Sequence, residues 1–198
     1  MQDLDAPAGV HFKFRDFIEC GDTWQRSHAD AAFNNLPRQA ATWGALQGLA
    51  SYVLDPIWDH FGHVVLTFGF CSHALSGRIP PGSSVAKNSD QHLSCELNTK
   101  GIPYCAHLGA SCDFKIDVAD YDAAEVAVWA LEHTDVDALY YYGKDRPLHI
   151  SWSPEPRGMV VKMKTTEQMK DSKQVKIRRP AGHATGAAGL ALLKGVDY

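Results

Sequence analysis

The sequence predicts an α+β domain with a small antiparallel sheet and flanking helices. From Gln39 to Phe61 the apolar residues recur at helical spacing, whereas several later runs are short and β-rich. Helices and loops separate these runs, and few strands separated in this way favour an α+β domain over a doubly wound sheet. With 198 residues, 45% of them hydrophobic, the chain is long enough to bury one core.

The first half of the chain predicts one long helix, one strand and a long loop. The helix over Gln39–Phe61 ends at Gly62, a typical C-terminal cap, and Pro56 predicts a kink or interruption. The β-rich run His63–Phe70 follows as a strand. Residues 72–104 are rich in Gly, Pro, Ser and Asn, which predicts a long loop, and long loops in compact domains are often functional.

The second half predicts alternating strands and helices up to Trp152. Alternation in Cys112–Ile116 places Asp113 on the polar face of a strand, and alternation in Leu148–Trp152 places His149 and Ser151 together on one face. The other predicted elements are a helix over Ala123–His133 capped by Asp122, a strand over Leu139–Tyr142, a strand over Met159–Met163 and a helix over Ala187–Leu193.

Charge divides the chain into two predicted units. The total is −4, but residues 157–198 hold nine Lys and Arg against three acidic residues, which is +6 for this segment and −10 for the rest. We therefore predict a domain over residues 1–156 and a basic C-terminal extension over residues 157–198. The extension is a candidate contact for a phosphate-bearing or acidic partner, although the more expected outcome is that it docks on its own acidic domain or remains solvated.

Composition and motifs exclude several classes of protein. No apolar run approaches the roughly 20 residues that span a bilayer, and the acidic N-terminus is unlike a signal peptide, so a cytoplasmic location is expected. Five cysteines without a Cys-x-x-Cys pair argue against both a complete disulfide framework and a cysteine-rich zinc module. The common phosphate-loop, dinucleotide, zincin and serine-hydrolase motifs are absent. His and Asp residues near strand ends remain, and these suit a zinc site with two His, one carboxylate and an open fourth position.

Three segments of the chain resemble a known family. Ala86–Leu93, Gly109–Phe114 and Leu148–Trp152 resemble the three metal-ligand segments of the D-alanyl-D-alanine carboxypeptidase and hedgehog-type zinc peptidases, and the resemblance covers roughly residues 34–153. It implies a hedgehog/DD-peptidase-like fold and a Zn²⁺ ion held by His92, Asp113 and His149. It also implies a metallopeptidase that hydrolyses a peptide or amide bond, as a D,D-carboxypeptidase or endopeptidase does with D-Ala-D-Ala or peptidoglycan substrates.

The chain departs from the family pattern in the spacing of the first two ligands. His92 and Asp113 lie farther apart than in the family, which requires an inserted loop from about Leu93 to Leu108. His107 lies closer to Asp113 and is the alternative first ligand. We prefer His92 because its flanking residues match the family segment more closely.

The resemblance also implies catalytic and substrate-binding residues. Asp145 is the candidate general base, although the family places its acid one residue later, where this chain has Arg146. Cys71 stands where the family usually has a substrate-binding Arg, so Arg146 or Arg78 is the expected substitute. The further candidates for substrate binding are His73, Ser151 and one ring of the run Tyr140–Tyr142.

Two functions of different classes follow. The first is a zinc-dependent hydrolase of a peptide-like substrate. The second is a non-catalytic metal-binding module of the same fold, whose basic extension binds a nucleic acid or an acidic protein.

Overall fold

The computed structural model describes residues 3–30, 33–80, 90–170 and 173–195. Its helices are α1 (Phe14–Ile18), α2 (Asp22–Ser27), α3 (Ala40–Leu49), α4 (Asp55–Phe61), α5 (His73–Arg78), α6 (Asp90–Leu93), α7 (Ala123–His133) and α8 (Gly186–Lys194). Its strands are β1 (Val64–Phe68), β2 (Ala110–Ile116), β3 (Ala138–Tyr141), β4 (Leu148–Trp152), β5 (Met159–Lys170) and β6 (Lys173–Thr185). Within these ranges no helix is both long enough and apolar enough to cross a membrane.

The strands form one six-stranded mixed sheet in the order β1-β2-β4-β3-β5-β6. Strands β3 and β5 are parallel, and every other neighbouring pair is antiparallel. The α+β class is therefore confirmed, but the prediction of a small antiparallel sheet is wrong. The sheet is larger because two strands from the basic extension join it, and β5 does so in the parallel direction.

The long predicted helix is present, with an interruption. Helix α3 continues through a π-helical segment, Ala50–Leu54, into α4, and Gly62 ends α4 with a φ of 92°. Pro56 lies in the first turn of α4, inside this continuous helix, so its missing N–H removes one helical hydrogen bond, and the carbonyl of Tyr52, four residues earlier, accepts from the Asp135 backbone N–H at 3.3 Å. The interruption is thus the π-helical segment immediately before the proline-containing turn.

The predicted long loop over residues 72–104 is wrong in part, because it contains two short helices. Ser72 caps α5 by accepting a hydrogen bond from the Leu75 backbone N–H at 3.1 Å, and α6 follows later in the segment. Serine is a frequent N-cap as well as a loop residue, so composition alone did not separate the two. The residues 86–89 of the first family-like segment lie outside the described residues.

The two faces of the sheet have different neighbours. Apolar side chains of one face, including Cys112, Phe114 and Ile150, form the main core with the helices α3 and α7 and the π-helical segment. Alternation sends Asp113 and His149 to the opposite face, where α6 packs on β2. That face carries the candidate site.

The basic extension is largely ordered secondary structure. The strand predicted at Met159–Met163 begins at Met159 and runs on to Lys170, and the predicted helix is α8, but the second strand, β6, was not predicted. Val160 and Leu193 of the extension are buried in the main core. The division of the chain at residue 156 stays a prediction, although strand β5 pairs with β3 across it.

A buried carboxylate caps the long helix from outside its own sequence. Glu96 is 7% exposed, and its Oε1 accepts hydrogen bonds from the backbone N–H of Arg38 (3.0 Å) and Gln39 (3.1 Å) and from the Thr42 hydroxyl (2.8 Å). A negative charge here also lies at the positive end of the helix dipole. The contact joins α3 to the segment that follows α6.

We expect Glu96→Ala to destabilise the fold by about 2 kcal/mol, because it leaves three donors at a buried helix start without their acceptor. The measurement is the urea midpoint at unchanged slope. Glu155→Ala, at an exposed position, is the control and is expected to change stability by less than about 0.5 kcal/mol. Equal midpoints for the two variants would contradict this role of Glu96.

Candidate metal centre

Three separate elements bring His92, Asp113 and His149 together. Asp113 on β2 and His149 on β4 are directly opposite each other in the antiparallel register. Such cross-strand neighbours share one face of the sheet with their Cβ atoms about 5 Å apart. Helix α6 adds His92 from above this face, so that one ligand atom of each residue lies within 4.8 Å of the others.

The contacts within this group are short. His149 Nδ1 lies 2.7 Å from Asp113 Oδ1, and His92 Nε2 lies 3.6 Å from the same oxygen. The two imidazole rings are edge to face, with centroids 4.9 Å apart. Asp113 Oδ1 is therefore the point on which both rings converge.

Hydrogen bonds on the far side of each ring determine which nitrogen faces the group. His92 Nδ1 is 2.9 Å from the Gly69 carbonyl oxygen, and His149 Nε2 is 2.6 Å from Gln91 Oε1. The Gly69 carbonyl oxygen only accepts, so His92 Nδ1 carries a proton, and Gln91 Oε1 is placed to accept from His149 Nε2 when that nitrogen is protonated. With the outer nitrogens protonated, a neutral ring has its lone pair on His92 Nε2 or His149 Nδ1, the two atoms nearest Asp113.

A proton or a metal ion between these atoms would relieve the repulsion among them. Two imidazole lone pairs and a carboxylate oxygen within a few ångströms repel one another unless a proton or a metal ion lies between them. Metal-binding histidines almost always donate their other ring N–H to a carbonyl or carboxylate, as both rings do here. The donor set and its supporting hydrogen bonds therefore fit a divalent metal ion.

Electrostatics keep Asp113 ionised. Burial on its own raises the pKa of the carboxyl, but the hydrogen bonds and positive charge that His149 and His92 supply when their rings are protonated outweigh burial and hold that pKa well below its ordinary value. The carboxylate is thus the ionised form needed for a ligand at neutral pH.

One side of the group is open. The side chains of His92 and His149 are 4% and 7% exposed, whereas that of Asp113 is 24% exposed. Asp113 faces a cavity of about 60 Å³ that is also lined by Tyr142, Arg146, Pro147 and Arg178. A metal ion held by the three side chains would therefore have an approach for water or substrate from this cavity.

The segment after β1 holds His92 in place. The Cys71 backbone N–H donates to the His92 carbonyl at 2.9 Å, and the Gly69 carbonyl accepts from the His92 ring. A Cβ at position 69 would lie 2.3 Å from the Phe17 carbonyl oxygen, so only glycine fits here. Burial raises the pKa of the Cys71 thiol to about 12, so the thiol is protonated at neutral pH. A protonated thiol is a poor nucleophile, and Cys71 acts here through its backbone N–H.

The other histidine and arginine candidates lie elsewhere in the described structure. His107 is exposed and is not a member of the group. His73 is exposed on α5, and its ring stacks on Tyr104 with centroids 6.4 Å apart. Arg78 forms an ion pair with Asp30 at 2.5 Å, so its charge is already matched.

Two of the predicted catalytic and substrate-binding residues, Asp145 and Ser151, lie close to His149 in the sequence, but their described hydrogen bonds are to residues outside the group. Asp145 is exposed in the turn before β4, and none of its described contacts joins its carboxylate to the group. Ser151 is 3% exposed; its hydroxyl accepts from the Ala138 backbone N–H at 3.0 Å and lies 3.3 Å from Asp137 Oδ2. These hydrogen bonds join β4 to β3.

The sequence did not single out Gln91 or Arg178, which the structure places beside the group. Gln91 directly precedes His92, yet nothing in the sequence links it to His149. Arg178 arrives from a strand that was not predicted. Tyr140 was detectable by alternation, and its ring lies edge to face with that of His149, with centroids 5.0 Å apart.

Comparison with known proteins adds no relative. No protein-family model matches the chain, and neither a curated protein nor a solved structure matches it significantly. The geometry of the site and the resemblance of the three short segments are the features that bear on function.

Proposed function

We propose that this protein is a metal-dependent hydrolase of a peptide or amide bond, with Zn²⁺ held by His92, Asp113 and His149. The observation that carries the proposal is the orientation of both rings: each has an oxygen acceptor beside its outer nitrogen and turns its inner nitrogen toward Asp113 as a ligand atom. Structural zinc sites usually have four protein ligands, whereas catalytic sites have three and an open position. Three ligands beside an open cavity support the catalytic type.

Zinc in such a site lowers the pKa of a bound water to near 7 and polarises a carbonyl group. The residues of this chain would supply the geometry. His92 and His149 are kept in the ligating tautomer by Gly69 and Gln91, and the ionised Asp113 supplies the negative charge. Arg146 borders the cavity and is the candidate partner for a substrate carboxylate or a developing oxyanion.

Asp145 remains the proposed general base. It directly precedes Arg146 in the exposed turn that borders the cavity, and Lys115 Nζ donates to its backbone carbonyl at 2.6 Å. That hydrogen bond fixes the backbone of the turn. The carboxylate would act on the attacking water once substrate orders the site.

The substrate class that we propose is a peptide related to D-Ala-D-Ala or peptidoglycan stems, and the fold that we propose is hedgehog/DD-peptidase-like. Support comes from the order of the three family-like segments and from their convergence on one face of the sheet. The buried Cys71 replaces the family's usual Arg, so an anion-binding residue must come from another element.

Metal binding by purified variants tests the proposal. Wild type is expected to bind about one zinc ion per chain, and His92→Ala and His149→Ala are each expected to weaken zinc binding by more than about 100-fold, because a lost ligand costs more than a lost supporting hydrogen bond. The measurements are elemental analysis and competition with a chromogenic chelator.

His107→Ala and His73→Ala are the matched controls, since both histidines are exposed and lie outside the group. Both variants are expected to bind zinc as wild type does. Wild type that binds no divalent metal would refute the hydrolase proposal. If His107→Ala loses zinc while His92→Ala keeps it, His107 rather than His92 is the first ligand.

The alternative is a non-catalytic metal-binding module that recruits a nucleic acid or an acidic protein. Part of the positive charge of the extension is neutralised by carboxylates of residues 1–156: Arg157 pairs with Asp137, and Lys194 Nζ lies 3.6 Å from Glu132. Lys164 and Arg179 are exposed and remain available for such a partner. Metal binding without hydrolysis of any peptide, together with salt-dependent retention on a phosphate resin, would favour this alternative.

A further inference from the structure

The hairpin formed by β5 and β6 extends past the strand on which it is built. Strand β3 ends at Tyr141, which pairs with Lys162, but β5 and β6 continue to pair beyond that point. The register shifts between Lys162 and Met163, and such a bulge bends and twists the strands that follow. Beyond the bulge, Arg178 pairs with Thr165.

This hairpin brings Arg178 to the cavity beside Asp113. The guanidinium carbon of Arg178 lies 5.4 Å from the centre of the Tyr142 ring, and both residues line the cavity with Arg146. Stacking on the ring favours one orientation of the guanidinium plane. Strand β6 therefore contributes a partly buried cation next to the candidate metal ligands.

Two guanidinium groups at this cavity are not matched by carboxylates among the described residues. Within the part of the chain that the structure describes, neither Arg146 nor Arg178 forms an ion pair, whereas Arg15, Arg78 and Arg157 do. Asp113 also lines the cavity, but its charge is engaged by the two histidines. The cavity thus has an excess of positive charge that an anionic ligand would balance.

The size of the cavity favours a small anion. A volume of about 60 Å³ corresponds to roughly two water molecules at liquid density. A carboxylate group is planar and accepts two parallel hydrogen bonds from a guanidinium, so it fits a narrow cavity between two arginines better than a tetrahedral phosphate does.

We propose that Arg178, carried by the C-terminal hairpin, binds the terminal carboxylate of the substrate together with Arg146. This inference rests on the proposed function and specifies its substrate: a peptide with a free C-terminus, cleaved near that end. Because Asp113 lines the same cavity, the bound carboxylate lies beside the metal ligands. The amide bond next to that carboxylate is then the one within reach of the metal centre. The hairpin is then part of the substrate site.

Binding to the metal-free protein tests the inference independently of catalysis. The probe is N-acetyl-alanyl-alanine, in both stereochemical forms, titrated by NMR into protein stripped of metal, beside the same dipeptide as its C-terminal amide. The acid is expected to bind at least about tenfold more tightly than the amide, the effect of one charged hydrogen bond. Arg178→Ala is expected to remove this difference, and Arg178→Lys to restore part of it.

Arg179→Ala is the matched control, because Arg179 is the exposed neighbour on the same strand. It removes the same charge and is expected to leave the preference for the acid intact. With hydrolysis measurable, Arg178→Ala should raise KM for the acid at least about tenfold with kcat changed less.

Several results would overturn the inference. These are equal binding of acid and amide, no binding of either, an Arg178→Ala variant that keeps the preference, or tighter binding of inorganic phosphate than of the acid. If wild type binds no zinc but the metal-free protein still prefers the acid through Arg178, the proposed function fails while the carboxylate site stands. If zinc binds but the preference is absent, only the carboxylate site fails.

Discussion

Replacing Asp113 with Asn is expected to abolish hydrolysis, lowering kcat/KM by more than about 1000-fold. Asn keeps the shape of the side chain but removes the negative charge on which both imidazoles converge, at 2.7 Å from His149 and 3.6 Å from His92. A neutral amide oxygen is a poor ligand for zinc, so affinity for the metal should fall by more than about 100-fold. The measurements are zinc affinity by chelator competition and turnover of the acetylated dipeptide acid.

The matched control for this substitution is Asp117→Asn. Asp117 follows the same strand and is exposed, and its contact with His63 at 3.5 Å is at the surface. The control should keep zinc affinity and turnover within about twofold of wild type, since exposed ion pairs contribute little. Far-ultraviolet circular dichroism establishes that both variants fold. A folded Asp113→Asn protein with wild-type zinc affinity would exclude Asp113 as a ligand.

The three members of the candidate centre were predictable because each has a local signal. Alternation in two short strands places Asp113 and His149 on a polar face, and the segment around His92 resembles a ligand segment. The residues that support them have no such signal. Gln91 and Gly69 act through a side-chain oxygen and a backbone carbonyl, and these contacts arise only when α6 packs over the sheet.

The missed strand β6 illustrates a different limit. Its sequence is basic and contains Pro180, and it lies at the edge of the sheet, where lysines and proline prevent pairing with other chains. An edge strand of this kind lacks the apolar alternation by which strands are recognised. The same polarity made residues 157–198 look like a solvated arm, although Val160 and Leu193 are in the core.

An ion pair between a buried carboxylate and a half-buried guanidinium joins this extension to the sheet. Asp137 is 4% exposed and accepts two parallel hydrogen bonds from Arg157, from Nε and Nη2, each at 2.7 Å. The Met159 backbone N–H donates to the Asp137 carbonyl at 2.9 Å, so the pair lies where β5 begins. The Arg157 side chain is 32% exposed, so removing Asp137 leaves a charge that water partly solvates; the cost exceeds that of an exposed pair but is below that of a fully buried one.

We expect Asp137→Asn to destabilise the fold by about 2 kcal/mol at pH 7, the order of a charged hydrogen bond at a half-buried site. Arg15→Ala is the control, because it breaks exposed ion pairs with Asp5 and Glu19 and should cost less than about 1 kcal/mol. The measurement is the free energy of unfolding from urea titrations. Equal losses in the two variants would show that the Asp137–Arg157 pair is no stronger than a surface pair.

The same pair predicts how stability depends on pH. Burial opposes ionisation of Asp137, but hydrogen bonds and charge from Arg157 outweigh it and lower the pKa of the carboxyl. The folded-state pKa of Asp137 lies below its unfolded-state pKa, which is about 3.9. The contribution of this carboxylate to the free energy of unfolding is therefore complete above the unfolded-state pKa and is lost as pH falls through the folded-state pKa. Wild type should therefore lose more stability than Asp137→Asn between about pH 5 and pH 2. Parallel curves for the two proteins would assign the acid sensitivity to other carboxylates, Asp113 among them.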